Sequence, residues 1–260
     1  MSKKNKLRVG SSFSDGEILR KQDKDLSPYC KQRDKISPNS LMIKELPWTE
    51  KQKPIIETLL EKKNKCVILD GPPGSAKTIL AVYAALKLLN SQKVTDIIYI
   101  RSLIQAKDGE TGFLVGDLES KTLFYNIPLQ DKLEELLLKK DITSLHKDNR
   151  IKTFPTSMLR GYNFNVNAIL IDEAQNMLFS SLITAITRAG EFSKVFITGD
   201  SCGQNDLGSK SGFKQLISLF NDQDSKDNGI QYIKLDIADI KRSEFVKFIM
   251  RKLQAQNLQY

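Results

Sequence analysis

The chain contains a single histidine, His146, and only three cysteines, Cys30, Cys66 and Cys202, in 260 residues. The cysteines lie far apart with no CxxC pair, so neither a disulfide framework nor a zinc site is expected from them. They read as ordinary thiols of a reducing compartment. Long apolar runs are also missing. Each is broken by charge well before the roughly 20 residues that cross a bilayer, so no membrane span is expected. The first eight residues are basic, but polar residues follow them instead of the roughly 7 to 15 apolar residues of a secretory signal. These absences point to a cytoplasmic protein.

What is present in excess is positive charge, a formal +9, and it is unevenly placed: residues 1–53 hold 13 basic and 7 acidic groups. Residues 1–45 are rich in Lys, Asp, Ser and Gln with few apolar anchors, too little buried area to offset chain entropy. A basic, flexible extension over 1–45 is expected, followed by one domain over 46–260. A basic arm of this kind can track a phosphate backbone or simply remain solvated.

From Leu46 onward, short apolar runs alternate with amphipathic stretches. The runs are 66–69, 97–100, 151–154, 168–171, 195–198 and 230–235, and they read as strands buried on both faces of a parallel sheet. Residues 48–61, 78–90, 129–140, 180–190, 212–220 and 243–256 carry helical spacing. Strand alternating with helix predicts an open α/β sheet with helices on both faces.

Between the first strand and its helix stands Gly71-Pro72-Pro73-Gly74-Ser75-Ala76-Lys77-Thr78. Backbone N–H groups of such a loop, together with the helix N-terminus, point at an anion. Lys77 can reach the β- and γ-phosphates of a nucleotide, and the Thr78 hydroxyl can ligate Mg²⁺. The usual pattern has Gly before the lysine, whereas this chain has Ala76, which fits without cost only where the backbone is helical. The alternative is a Gly/Pro turn ahead of a helix that happens to begin Lys-Thr.

A second signal is Asn167-Ala168-Ile169-Leu170-Ile171-Asp172-Glu173-Ala174-Gln175, a buried strand ending in adjacent carboxylates. Unpaired charges are not buried cheaply within a strand, so both must emerge at the carboxyl edge of the sheet, where open α/β sheets bind ligands. Asp172 is placed to hold the water shell of Mg²⁺, and Glu173 to orient or deprotonate an attacking water. A third strand ends in Gly199-Asp200, followed by Gln204, an amide able to sense a γ-phosphate.

Taken together these residues resemble the PhoH-like ATPases, relatives of the superfamily 1 helicases. The resemblance extends to Arg101 and to Gly112-Phe113-Leu114-Val115-Gly116-Asp117-Leu118 with Lys121. It also includes Arg160-Gly161, Thr187-Arg188, Ser193-Lys194, Asp206, Ser211-Gly212 and Asp239-Ile240-Lys241-Arg242. It implies a RecA-like P-loop NTPase core, with the Val195 strand inserted between those of Cys66 and Ala168, and an ATPase activity using ATP and Mg²⁺. Gln52 is similar to the glutamine that recognises adenine in related enzymes; its other reading is a solvated helix residue. Trp48 reads as a base-packing ring or a satellite core residue. Besides Ala76, the family pattern is broken by one extra residue before Gln204.

Superfamily 1 helicases take a transition-state arginine from a second lobe, for which this chain has no residues. A neighbouring subunit is the economical source, implying a homo-oligomer such as a hexameric ring, with Arg242, Arg188 or Arg160 as the finger. Two functions compete. One is an ATPase motor or remodeller on single-stranded RNA or DNA, against which the sequence shows no basic-aromatic stacking motif. The other is an ATP-dependent switch or assembly protein with slow hydrolysis and a protein partner. A nuclease role has no clustered carboxylates in the N-terminal residues to support it.

Overall fold

The computed structural model describes residues 40–102, 118–203, 205–240 and 244–255, with only the backbone described for 118–125 and for 254. All six predicted strands form: β1 (Cys66–Asp70), β2 (Asp96–Arg101), β3 (Ile151–Pro155), β4 (Asn167–Asp172), β5 (Lys194–Gly199) and β6 (Ile230–Lys234). They make one sheet in the order β3-β2-β4-β5-β1-β6, every pair parallel. β5 pairs with β1 on one side and β4 on the other, the insertion expected from the resemblance. Four strands are buried at all or nearly all positions because helices cover both faces.

The helices are α1 (Gln52–Leu60), α2 (Lys77–Asn90), α3 (Leu118–Leu136), α4 (Lys139–Lys147), α5 (Phe179–Ile186), α6 (Phe213–Phe220), α7 (Gln223–Asp227) and α8 (Glu244–Ala255). Strand alternation sorts the core into two layers. Val67, Leu69, Ile97, Tyr99 and Leu170 face α1 to α4, where α2 supplies an unbroken buried run from Ile79 to Leu86. Ile68, Ile98, Ile100, Ile169 and Ile197 face α5 and α6, meeting Leu182, Phe213 and Leu216. The chain from Leu41 already belongs to the first layer, since Leu41 is buried and the Lys44 N–H donates to the Leu136 carbonyl at 2.8 Å.

The helix predicted over 129–140 is instead the end of a much longer α3, followed by a separate α4. Pro128 sits inside α3. It removes one intrahelical donor, which is why the sequence reads as a helix starting only after it. α5 also stops earlier than predicted, at Ile186, after which the chain turns back to pair Phe164 with Ala189. The architecture is the RecA-like P-loop fold, a parallel sheet with helices on both faces. Among the described residues, no helix is long and apolar enough to cross a membrane.

Candidate nucleotide site

β1 delivers the Gly71–Thr78 loop at the carboxyl rim of the sheet. The loop closes on itself through the Ser75 hydroxyl, which donates to the Pro72 carbonyl at 2.7 Å, and is fixed to β5 by Gly71 N–H donating to Gly199 O at 3.1 Å. A side chain at Gly71 would come within 2.8 Å of Leu235 Cβ, so only glycine lets the first turn pass beneath the chain that follows β6. α2 opens at Lys77, whose ammonium donates to the carbonyls of Gly71 at 2.6 Å and Pro72 at 2.9 Å.

Ala76 is not helical. Its φ is 68° and its ψ 15°, the left-handed region, and Gly74 nearby has φ 83°. The tolerance expected of a helical alanine therefore does not apply, and the side chain costs about 1–2 kcal/mol relative to a right-handed residue. Non-glycine residues in this region persist where surrounding structure holds them, and they cluster at ligand sites. Glu173 is the other such residue in the cleft, at φ 54°.

The two sequence signals meet at one carboxylate. Thr78 Oγ1 donates to Asp172 Oδ1 at 3.1 Å, Thr198 Oγ1 donates to the same oxygen, and Tyr99 OH donates to Asp172 Oδ2 at 2.7 Å. Asp172 is buried and oriented by three hydroxyls from β2, β5 and α2. Neither Tyr99 nor Thr198 stands out in the sequence, because within apolar strand runs nothing marks which hydroxyl will face a neighbouring strand end. Burial and the Asp172 charge hold the Tyr99 phenol well above its ordinary range, so it stays a donor.

Glu173 accepts from Gln175 Nε2 at 2.5 Å, and Gln175 Oε1 accepts the Asp200 N–H at 3.1 Å, a strut from the end of β4 to the end of β5. Burial, reinforced by Asp172, raises the Glu173 carboxyl above its usual range, with Arg101 the largest opposing influence. Arg101 stands opposite Asp172 in the β2–β4 register. Burial lowers the Lys77 ammonium, while Asp200, Glu173, Asp172 and Asp70 all pull it back up. Four carboxylates thus act on one lysine.

These groups line a cleft of about 560 Å³, within the usual size of ligand pockets. Pro73, Gly74, Lys77 and Thr78 form one wall and Asp172, Glu173 and Asp200 another; Leu46, Pro47 and Trp48 close the side toward α1. Trp48 packs as a satellite of the core, edge-on to Tyr83 with centroids 4.9 Å apart, and also lines the cleft. Lys132 and Glu135 also reach the cleft from α3; the sequence places both on a helix but does not show that this helix borders the strand ends.

Gln52 is fully buried, which removes its reading as a solvated residue. It exchanges hydrogen bonds with Thr49 in the manner of a capping box, its Oε1 accepting Thr49 N–H at 3.1 Å while Thr49 Oγ1 accepts its N–H at 3.2 Å. Its Nε2 has no hydrogen-bond partner among the described residues. Of the other sequence candidates, Arg160 is exposed on the chain after β3, and Arg188 follows α5 on the path toward the start of β5, at the rim opposite the cleft. Residues 1–39, Gly112 to Asp117, Gln204 and Arg242 lie outside the described residues. Cys66 is buried, its thiol pushed up to about 12 by burial, and Cys202 is exposed.

The donor set suits Mg²⁺, which takes one or two carboxylates and otherwise prefers water and phosphate oxygens. The Thr78 hydroxyl and Asp172 carboxylate supply those protein groups, at a rim with surplus negative charge. Among the described residues, no group of three or more His, Cys, Asp or Glu could hold a metal, so an ion here would complete its shell from water and phosphate.

A PhoH-like protein of Bacillus subtilis (strain 168) is 34% identical over 197 residues, covering 75% of this chain and 60% of its own length. One from Mycobacterium tuberculosis (strain ATCC 25618 / H37Rv) is 33% identical over 206 residues, covering 78% and 56%. The chain therefore spans under two thirds of the length of these curated relatives. Among solved structures, the large terminase of a thermophilic bacteriophage overlaps 80% of this chain and 50% of its own, at 13% identity and a TM-score of 0.49. The family described as PhoH-like protein matches residues 44–254, most of the chain, and with that match and these relatives the chain belongs to the PhoH-like family.

Proposed function

We propose that the domain over 46–260 binds ATP with Mg²⁺ and hydrolyses it, and that hydrolysis is coupled to single-stranded RNA or DNA. The observation that carries this reading is the 3.1 Å bond between Thr78 and Asp172, which joins the phosphate loop to the acidic strand end in one cleft. In this reading Lys77 leaves the loop carbonyls for the β- and γ-phosphates, and loop N–H groups hold the remaining phosphate oxygens. Asp172 and Thr78 hold the metal, which when bound neutralises charge developing on the phosphate oxygens. Glu173 orients the attacking water, and its raised proton affinity suits a group that must accept a proton near neutral pH. Gln175 fixes the angle of that carboxylate. Gln52, buried four residues after the cleft-lining Trp48, holds a spare amide donor that would recognise an adenine on that side.

The transition-state arginine comes from a neighbouring subunit of a homo-oligomer, a ring such as a hexamer being the closed form of such a contact. Arg242, Arg188 and Arg160 are the candidates, and Arg188, placed toward the opposite rim, can serve only a neighbour. The decisive experiment is ATP turnover with Mg²⁺ or EDTA, for wild type and Lys77→Ala, with and without oligo(U) and oligo(dT). Turnover that requires neither Mg²⁺ nor Lys77 overturns the reading.

The left-handed Ala76 favours a second reading, an ATP-dependent switch or assembly protein in which a strained phosphate loop turns over slowly. Turnover unchanged by either polymer across salt concentrations selects that one.

A further inference from the structure

Beside the edge strand β3, on the side of the sheet covered by α5 and α6, three aromatic rings from one short stretch, residues 154–164, come together. Phe154 lies 4.8 Å from Tyr162 and 5.4 Å from Phe164 between ring centroids, and Tyr162 stacks on Phe164 at 5.6 Å with 18° between planes. Phe164 is buried and Phe154 packs on the core, whereas Tyr162 is 47% exposed. One ring thus rests on two others and turns its outer side to solvent. An isolated exposed tyrosine needs no explanation. A tyrosine laid on a prepared aromatic base does, because the same residues could have buried it.

The connection that carries the ring is held in place at several points. Gly161 turns with φ +88°, the Tyr162 N–H donates to Leu159 O at 3.2 Å, and Arg188 Nη1 donates to the Tyr162 carbonyl at 3.4 Å. Phe164 N–H then donates to Arg188 O at 2.9 Å, and Gly190 N–H to Phe164 O at 2.8 Å. Residues 156–166 hold one arginine, the exposed Arg160, and no carboxylate. The Arg188 Nε is buried without a hydrogen-bond partner among the described residues. A rigid ring flanked by guanidinium groups, with no acid on its own segment, has the chemistry that stacks a base and pairs its phosphate. The segment also runs directly into β4, which ends at Asp172, with Glu173 the next residue.

We infer that Tyr162, supported by Phe154 and Phe164, is a stacking platform for one base of a single-stranded nucleic acid, with Arg160 on the adjacent phosphate. The inference rests on the nucleic-acid-coupled reading above and gives it a surface. It also gives Arg160 a task other than that of finger. The three rings are close in sequence, but Phe154 ends a strand and the other two sit on the connection that follows it, so only the fold of that connection stacks them.

The test is fluorescence anisotropy of labelled oligo(U) and oligo(dT), about a dozen nucleotides long to match usual site sizes, with ATP turnover followed in parallel. Tyr162→Ala should weaken binding by about 5- to 150-fold, the loss of one stacked base, and leave polymer-free ATP turnover unchanged, with a Tm only a few degrees lower from the lost ring contacts. Tyr162→Phe should bind within about twofold of wild type, since the ring and not the hydroxyl stacks. Arg160→Ala should reduce the salt dependence of binding by about one phosphate contact, which Tyr162→Ala should not. The tighter of the two polymers identifies the source. If wild type binds and Tyr162→Ala binds equally well, the platform is wrong while the coupled reading stands. If wild type binds neither polymer, both are wrong. A wild type that binds neither but self-associates through Tyr162 in sedimentation makes this face a protein contact and also overturns the inference.

Discussion

The two rims of the sheet both bury charge, yet they use it differently. At the amino rim, Asp96 meets Arg150 at 4.0 Å and Lys152 at 3.7 Å and accepts from Asn167 at 3.4 Å. Lys194 at the same rim donates to the carbonyls of Leu59 and Glu61. Each of these charges is answered by an opposite charge or a backbone carbonyl of the same fold. At the carboxyl rim, Asp70, Asp172, Glu173 and Asp200 all act on Lys77. Burial of charge therefore does not by itself mark a site; an unbalanced sign facing an open cleft does. The amino rim holds the structure together, while the carboxyl rim keeps a charge imbalance that a metal and a polyphosphate could settle.

Removing the cation of the carboxyl rim should have the largest effect. Lys77→Met is expected to cut ATP turnover by about 10³-fold or more, as loss of a charged group on a transferring phosphate does. Urea denaturation of the same variant should show no loss of stability, because burial already disfavours the charged lysine in the fold. A variant that unfolds would mean Lys77 is structural, and the contrast between rims would collapse.

Glu173→Gln should lower turnover by about 10²-fold, the scale of a lost general base, while nucleotide affinity measured by a fluorescent ATP analogue stays close to wild type. Because the Glu173 proton affinity is raised, the acid limb of the kcat profile should lie above the ordinary carboxylate range, and the Gln variant should lose that limb. The stability sign follows from linkage. A carboxyl raised by folding contributes stability that is full below its unfolded pKa and is lost as pH rises through the folded value. At neutral pH the Gln variant should then be as stable as wild type, or more so.

The amino rim predicts the reverse pattern, an effect on stability without one on catalysis. Lys194 is lowered to about 8, chiefly by burial. Its contribution is present above the unfolded lysine value and lost as pH falls through the folded one. Between about pH 8 and pH 10, wild type should therefore gain on the order of 2 kcal/mol relative to Lys194→Met. Denaturation curves for both proteins across that window measure the difference; parallel curves would mean Lys194 is solvated as in the unfolded chain.

The smallest effect should come from Ala76→Gly. Releasing a left-handed alanine, less the extra chain entropy of glycine, should add about 0.5–1 kcal/mol of stability. That would appear as a Tm higher by a few degrees. A lower Tm would show that the Ala76 methyl packs well enough to outweigh its backbone strain.

The four inner strands are legible in the sequence because each is a short apolar run buried on two faces, whereas the edge strands β3 and β6, expected to be buried likewise, are half-exposed and carry polar residues, since each has a neighbour on one side only. The phosphate loop and the Asp172-Glu173 pair are legible for a related reason: Gly, Lys, Thr and adjacent carboxylates at strand ends have few other uses. Hydroxyl partners such as Tyr99 and Thr198 are not, since a residue inside an apolar run shows its polar partner only once strands are ordered side by side. Ala76 is misleading because an alanine next to a helix is ordinarily helical, and only the closed loop forces φ positive. The long α3 is hidden by Pro128, whose local penalty the packing of Leu129, Leu133 and Leu136 into the core outweighs.

By itself the sequence determined the strand runs, the order of the elements and the residue types at the phosphate loop and the acidic strand end, because these follow from spacing and side-chain chemistry along the chain. Only the tertiary structure decided which strand ends meet, that Asp172 carries three hydroxyl donors, and that Phe154, Tyr162 and Phe164 form one stack. Such pairings depend on how strands and connections are brought side by side, across most of a hundred residues for Asp172 and Thr78 and through one folded connection for the ring stack, and chain-local preference does not specify that path.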